Sequence, residues 1–431
     1  MSRAKIKNIW LAVLLFTVLI PLCSWAISPD EATLVGNRFI AHVIELQGGW
    51  GKAKEAYVTD CNELKRGDLF LGYHLSIYPH GHIVVSRLKQ LPPVKSFSTT
   101  CDFDTESEEG YWALLKDAMQ ATLLFLQKEH RTLKEEKLPE GISPPCNREA
   151  WDWLLGLGAG PHESTIVGPL LDTAWAQEAP FNDYCPMGDG GRCLAGCVAI
   201  AAAQVMKYWN HPLSGTGSHS YWWNGDGSVS GQELSADFSD PYDWTNMKDK
   251  YGFWHPYNDT EAAAVAELCY EVGVAFEMDY GHEGSGAAAY KALTLFPEYF
   301  KYADSITIEC RKNYASANDW FERIKEELNA YPPRPMMYSI NWVDAKGESH
   351  LHEIVCDGYR EEQVDYIHIN YGWGGSHDAW YAVDNLYCPD GCLAEVMYCG
   401  IRPNHPPNTP SVPTGPDSGN LGTSYTFSAT T

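Results

Sequence analysis

Positive charge is scarce in this chain: 31 Lys and Arg stand against 56 Asp and Glu, a formal net charge of −25. A nucleic-acid partner normally needs a basic face to replace the counterions on phosphate, so that class is excluded. The same deficit excludes a polybasic binder of membrane surfaces. Long apolar runs are lacking too. Only residues 9–22 form one; it is short of the ~20 residues of a membrane span, and Pro21 interrupts it. There is no internal repeat and no His-Glu-x-x-His, and the CPDGC stretch from Cys388 to Cys392 has no second paired motif, so a zinc site is set aside. Aromatic residues, by contrast, are plentiful. With 16 Trp and 25 Tyr the chain can fill large cores, which excludes global disorder.

The start of the chain reads as an address. Arg3, Lys5 and Lys7 precede the apolar run, and Ser24-Trp25-Ala26 puts small residues at the −3 and −1 positions of a cleavage site after Ala26. That pattern describes a secretory signal peptide over 1–26, and it predicts a secreted or extracytoplasmic protein with no membrane attachment after signal removal. Leu22 is too bulky before Cys23 for lipoprotein processing.

Residues 27–160 read as a small mixed domain followed by a linker. Apolar spacing predicts helices over 31–46 and 111–126, with a strand, turn and strand over 75–88. The charged segment 128–140 then runs into the punctuated stretch GISPPC, the texture of an exposed linker. Residues 161–403 have the texture of one α+β domain. Helices are predicted at 197–209 and 262–272, and strand-like runs from Pro335 onward alternate with polar turns, as in an antiparallel sheet. Residues 404–431 are a Pro-rich spacer and one strand-like segment, which cannot fold alone.

Chemistry concentrates in three places. Cys197 follows Gly196 and opens an Ala-rich helix, so its thiolate lies near the positive end of a helix dipole, as a cysteine nucleophile requires. A buried structural thiol or a disulfide partner is the bland alternative at this position. A base must come from elsewhere in the chain. His352 begins a strand-like run in SHLHEIVCDG, His350 shares its face, and His368 lies inside a strand pattern that suits a packed core histidine. The Gly372-Trp373-Gly374-Gly375 turn lets backbone pass close to a site, with Trp373 placed to roof an imidazole.

Six blocks in fixed order, AQEAPFN, GCVAIAAAQVMKYWNHP, PYDWTNM, ELCYEVGVAFEMDYG, HEIVCDG and INYGWGG, closely resemble the streptopain-like cysteine peptidases. The resemblance covers nearly all of 165–403. A looser match, HGHIVVSRLKQLPPVKSFSTT, resembles the hairpin core of the family's inhibitory propeptide. It implies a papain-like α+β fold, a helical part plus an antiparallel sheet, preceded by a small α+β propeptide domain. It also implies a zymogen that cleaves protein or peptide substrates, is held by its own propeptide, and needs no cofactor or metal. Carried over by position, Cys197 is the nucleophile, His352 the general base and acid, Gln177 the oxyanion donor and Asn370 the orienting residue. Ser285 and Gly286, in GHEGSGA, fall on a substrate-binding loop beside Leu351, Tyr371 and Trp373. Two departures stand out: Tyr371 where the family usually has Trp, and Leu351 where it usually has Gly. An inactive, protease-like binding or adhesion protein is the other reading, since fold alone does not fix function. The tail resembles the start of an immunoglobulin-like module that stops early. In an exported chain Cys388 with Cys392, and Cys185 with Cys193, are candidate disulfides, while Cys269 and Cys356 read as buried thiols; the connectivity stays open.

Overall fold

The computed structural model describes residues 26–105, 115–116, 119–120, 122–124, 147–160, 163–343, 349–383 and 395–404. The signal segment, most of the predicted second helix and linker, the Cys388–Cys392 stretch and the tail from 405 lie outside the described residues. Among the described residues no helix is long and apolar enough to cross a membrane. The chain divides into two compact units, one of residues 1–174 with 310–396 and the other of 175–309 with 397–431.

The first unit opens with helix α1 (Pro29–Gln47). Ser28 and Glu31 form a reciprocal capping box at its start, Pro29 occupies the first turn, and Gly48 at φ 75° ends it in the left-handed conformation. Ala32, Val35, Phe39, Ile40 and Val43 recur at helical spacing and are buried together with Leu75, Ile77, Ile83, Val85 and Phe97. Those partners lie on β2 (Leu69–Tyr78), β3 (His82–Ser86) and β4 (Val94–Ser98), with β1 (Tyr57–Arg66) outside β2. The hairpin β2–β3 is the strand pair expected at 75–88. A short helix α2 (Arg148–Leu154) buries Trp151 and Leu154 in the same core, so this part of the expected linker is an anchored element.

The remaining strands of this unit are β5 (Thr165–Val167), β11 (Met336–Val343), β12 (Ser349–Glu361), β13 (Tyr366–Asn370) and β14 (Ala379–Ala382). They continue the N-terminal sheet in the order β1-β2-β3-β4-β14-β13-β12-β11, with β5 paired to β12. The join is antiparallel, with Trp380 opposite Phe97 and Tyr381 opposite Ser96. Phe97 stacks on Trp380 at 6.3 Å between centroids, and the buried Arg360 guanidinium lies 5.2 Å from the Phe97 ring and 5.7 Å from that of Trp380. Glu362 pairs with that arginine at 2.8 Å, which keeps the buried charge compensated. Helix α6 (Ala317–Leu328) packs on β12 through Phe321 against Tyr359, and Trp320 Nε1 donates to the Tyr338 hydroxyl at 3.0 Å.

The second unit is built around α3 (Cys197–Trp209), with the bounds the sequence predicts. Residues 198–206 of it are all buried, and their run of alanines lets α4 (Asp259–Ala275) pack close. Two hairpins, β6 (Met187–Gly188) with β7 (Gly191–Arg192) and β8 (Ser218–Asp226) with β9 (Val229–Asp237), flank these helices, and α5 (Ala292–Phe300) follows a 3-10 turn. Tyr221 and Trp223 of β8 donate to the Met278 and Tyr280 carbonyls just beyond α4 at 2.6 and 3.0 Å. β10 (Thr307–Cys310) and β15 (Glu395–Cys399) fall where the chain passes from one unit to the other.

Candidate active site

In the second unit Cys197 is the first residue of α3, half-buried, after Gly196 at φ 90° and ψ 140°. A Cβ on Gly196 would lie 2.7 Å from Met278 Sδ and 3.3 Å from Ser285 Cβ, so both the backbone angle and the space require glycine. The thiol thus sits where the unpaired N–H groups of a helix start and its dipole favour the thiolate. Gln177 is half-buried, and its backbone carbonyl accepts from Ala195 N at 2.9 Å, which ties it two residues ahead of the cysteine.

The loop 281–287 is braced from inside. Ser285 Oγ donates to the Leu194 carbonyl at 2.7 Å and accepts from Gly281 N at 3.0 Å, while Leu194 N donates to the Gly281 carbonyl. Gly286 bridges Asp279 through both of its backbone groups, at 2.9 and 3.1 Å. The Ser285 hydroxyl therefore holds the loop to the segment before Cys197.

In the first unit His352 is buried on β12 opposite Ile340 of β11. Its Nε2 lies 3.0 Å from the Tyr371 carbonyl, which can only accept, so Nε2 carries the proton and Nδ1 is left as the basic nitrogen of the neutral ring. Burial pulls its pKa down to about 4, against an upward pull from that carbonyl. Tyr371 stacks on the imidazole at 4.8 Å and Trp373 lies against it at 4.9 Å, so the expected aromatic roof is present with tyrosine as one of its rings.

Asn370 holds the turn beneath that ring. Its Nδ2 donates to the Thr173 carbonyl at 2.7 Å and its Oδ1 accepts from Gly372 N at 3.0 Å. The acceptor for His352 thus comes one residue after the asparagine named from the resemblance. Leu351 is 56% exposed, with its side chain on the opposite face of β12 from His352. His350 shares the His352 face, and His368 is half-buried on β13, its ring 5.0 Å from that of Trp380. Burial works against the charged form of His368, yet the Asp357 carboxylate at 2.6 Å holds its pKa above the ordinary value.

Sequence reasoning missed the ties beneath the Tyr371 turn. Asp378 Oδ1 accepts from Tyr371 N at 2.8 Å, and its backbone carbonyl accepts from Ser98 Oγ at 2.7 Å and from Cys101 Sγ at 3.3 Å. Residues 98–101 of the N-terminal domain therefore grip the loop that frames His352. No local pattern announces this, because the partners are separated by 277 positions or more. Cys185 and Cys193 stand as separate buried thiols, as do Cys269 and Cys356.

A cysteine at the head of a buried helix and a histidine on an antiparallel sheet, in an α+β chain, are the parts of a papain-like cysteine peptidase. The model of the Peptidase C10 family matches residues 175–381. Streptopain of Streptococcus pyogenes is 25% identical over 382 residues, which span 84% of this chain and 86% of the relative. The structure of a Prevotella intermedia prointerpain A fragment shares 29% identity at a TM-score of 0.59, covering 79% of this chain and 98% of that one. The thiol protease/hemagglutinin PrtT of Porphyromonas gingivalis is 27% identical over 218 residues, 48% of this chain and 24% of that protein. The chain is a streptopain-like cysteine peptidase of the endopeptidase type, with a zymogen-like N-terminal domain, and its match to the Peptidase C10 family lies in residues 175–381.

Proposed function

We propose that the chain is an exported precursor in which Cys197 and His352 form the catalytic dyad. The observation that carries this reading is the placement of Cys197 at the first position of a buried helix, behind an obligatory glycine. His352 Nδ1 takes the thiol proton, and the thiolate attacks the scissile carbonyl. The resulting imidazolium then protonates the leaving amine, which leaves an acyl-enzyme. Water, deprotonated by the same nitrogen, releases the acid and restores the thiol. Gln177 donates to the oxyanion of both tetrahedral intermediates. The Tyr371 carbonyl and the two aromatic rings fix the imidazole, and Asn370 acts on it by holding their turn.

Residues 1–26 are the signal, 27–160 the inhibitory propeptide with its linker, 161–403 the peptidase domain and 404–431 an appended spacer. The grip of Ser98 and Cys101 on the Asp378 loop supports an inhibitory role for the N-terminal domain. Maturation cuts fall within 128–165 but outside helix α2, which Trp151 and Leu154 anchor; the exposed stretch 156–159 suits them. N-terminal sequencing after incubation, beside a Cys197→Ala control, tests the scheme. A new terminus in that region should appear with the intact protein and be missing from the control. Self-processing of the control would remove Cys197 from the mechanism.

A further inference from the structure

The loop 281–287 contains Gly281, Gly284 and Gly286, so its backbone has much freedom to lose, and something must hold it. Ser285 fixes its middle and the Asp279 bridge its end. Its start is held by Asp226, the last residue of β8, beside the Gly227-Ser228 turn. Asp226 Oδ2 accepts from His282 N at 2.9 Å and also from Asp189 N at 3.1 Å. Asp189 returns the tie, since its Oδ2 accepts from Ser228 N at 3.0 Å.

Close packing completes the joint. A Cβ on Gly188 would sit 2.3 Å from Asp226 Oδ2, and Cβ atoms on Gly190 and Gly191 would sit 3.3 and 3.0 Å from the His282 ring. The β6–β7 hairpin thus presses its glycines on the carboxylate and on the imidazole. One carboxylate joins three loops: the hairpin 187–192, the turn 226–229 and the loop 281–287.

We propose that Asp226 is a positioning residue for substrate selection, whose carboxylate fixes the loop 281–287 on the β6–β7 hairpin and so sets the subsite offered to an extended peptide. The inference rests on the reading of 281–287 as a substrate-binding loop. Asp226 acts through the backbone of the loop, by the His282 and Asp189 N–H groups, so it governs how a long substrate is held more than how fast the thiol reacts.

The test compares matured wild-type enzyme with Asp226→Ala and Asp226→Asn, each normalised by titrating the active thiol with an epoxide inhibitor. Two substrates are used: a peptide of several residues on each side of the cut, and a small ester that does not reach the loop. Hydrogen bonds to an ionised acceptor are the strong kind, so Asp226→Ala should raise KM for the long peptide by about ten-fold or more. Its kcat per titrated thiol and its turnover of the ester should stay near wild type. Asp226→Asn keeps an oxygen that accepts the same N–H groups and should recover most of the loss. If the alanine variant fails to mature, Asp189→Ala removes only the Ser228 tie and should raise the peptide KM by about three-fold. An unchanged peptide KM, equal losses on both substrates, or an asparagine variant as poor as the alanine would overturn the proposal. A wild-type preparation with no titratable thiol would overturn the parent reading, and this one with it.

Discussion

The unit that carries Cys197 and the unit that carries His352 are built on different principles. Around Cys197 the order is local: a glycine with one permitted conformation, a helix of small residues, and short loops pinned by single hydrogen bonds. Around His352 the order is long-range. The imidazole leans on Tyr371 and Trp373, their turn hangs from Thr173 and Asp378, and Asp378 is gripped from residues 98–101. The difference shows where regulation can enter. A thiol set by its own helix start is primed once folded, whereas a histidine framed by distant segments responds to what those segments do.

Mutations sharpen this contrast. Cys197→Ser changes one atom at a helix start, so peptide hydrolysis in a standard assay should fall by at least about 10³-fold with the melting temperature unchanged. His352→Ala should lose activity to a similar degree, while His350→Ala and His368→Ala retain most of it. An essential His350 with a dispensable His352 would shift the site along its own strand. Gln177→Ala should depress kcat by about 10²–10³-fold with little change in KM, as for other oxyanion donors. An unaltered kcat would remove Gln177 from the site.

The smallest effect concerns pH. Burial pulls His74, His352 and His377 down to about 4, and His82 to about 3, all in the first unit. Their unfolded forms take up protons near the ordinary histidine value of 6.5, so their contribution to stability is present above that pH and is lost as pH falls towards 4. In the second unit burial pushes Glu271 up to about 8, despite the Tyr242 hydroxyl that donates to it at 2.6 Å. Its contribution is full at low pH and fades as pH rises from about 4.5 to 8. Among the described residues neither ring nitrogen of His74 has a hydrogen-bond partner. His74→Phe should therefore stabilise the precursor by about 1 kcal/mol at neutral pH, and by more at pH 5. A melting-temperature gain that did not grow on acidification would contradict this assignment.

Much of the second unit was legible in the sequence. Helix α3 starts and stops where the residues predict, because Gly196 and the left-handed Asn210 punctuate a clean apolar run. Strands β11–β14 were legible too, each bounded by polar turns. The β8–β9 ribbon was not, although Tyr221 and Trp223 alternate with exposed residues along it; the polar residues of β9 hide the period. The edge strand β1 was missed for the same reason, its YVTDCNELKR being mostly polar. The pairing of β4 with β14 joins segments far apart in the chain, and only tertiary structure reveals it. The same holds for Asp226, which looks like an ordinary turn residue until His282 and Asp189 meet on it.

The central claim is that one thiol among the 13 cysteines does the chemistry. Labelling the matured enzyme with an epoxide inhibitor of cysteine peptidases, then locating the adduct by peptide mass spectrometry, tests it most directly. The account predicts a single adduct on Cys197, formed in step with the loss of peptidase activity. Complete inactivation with the adduct on another cysteine, or full activity with Cys197 alkylated, would contradict it.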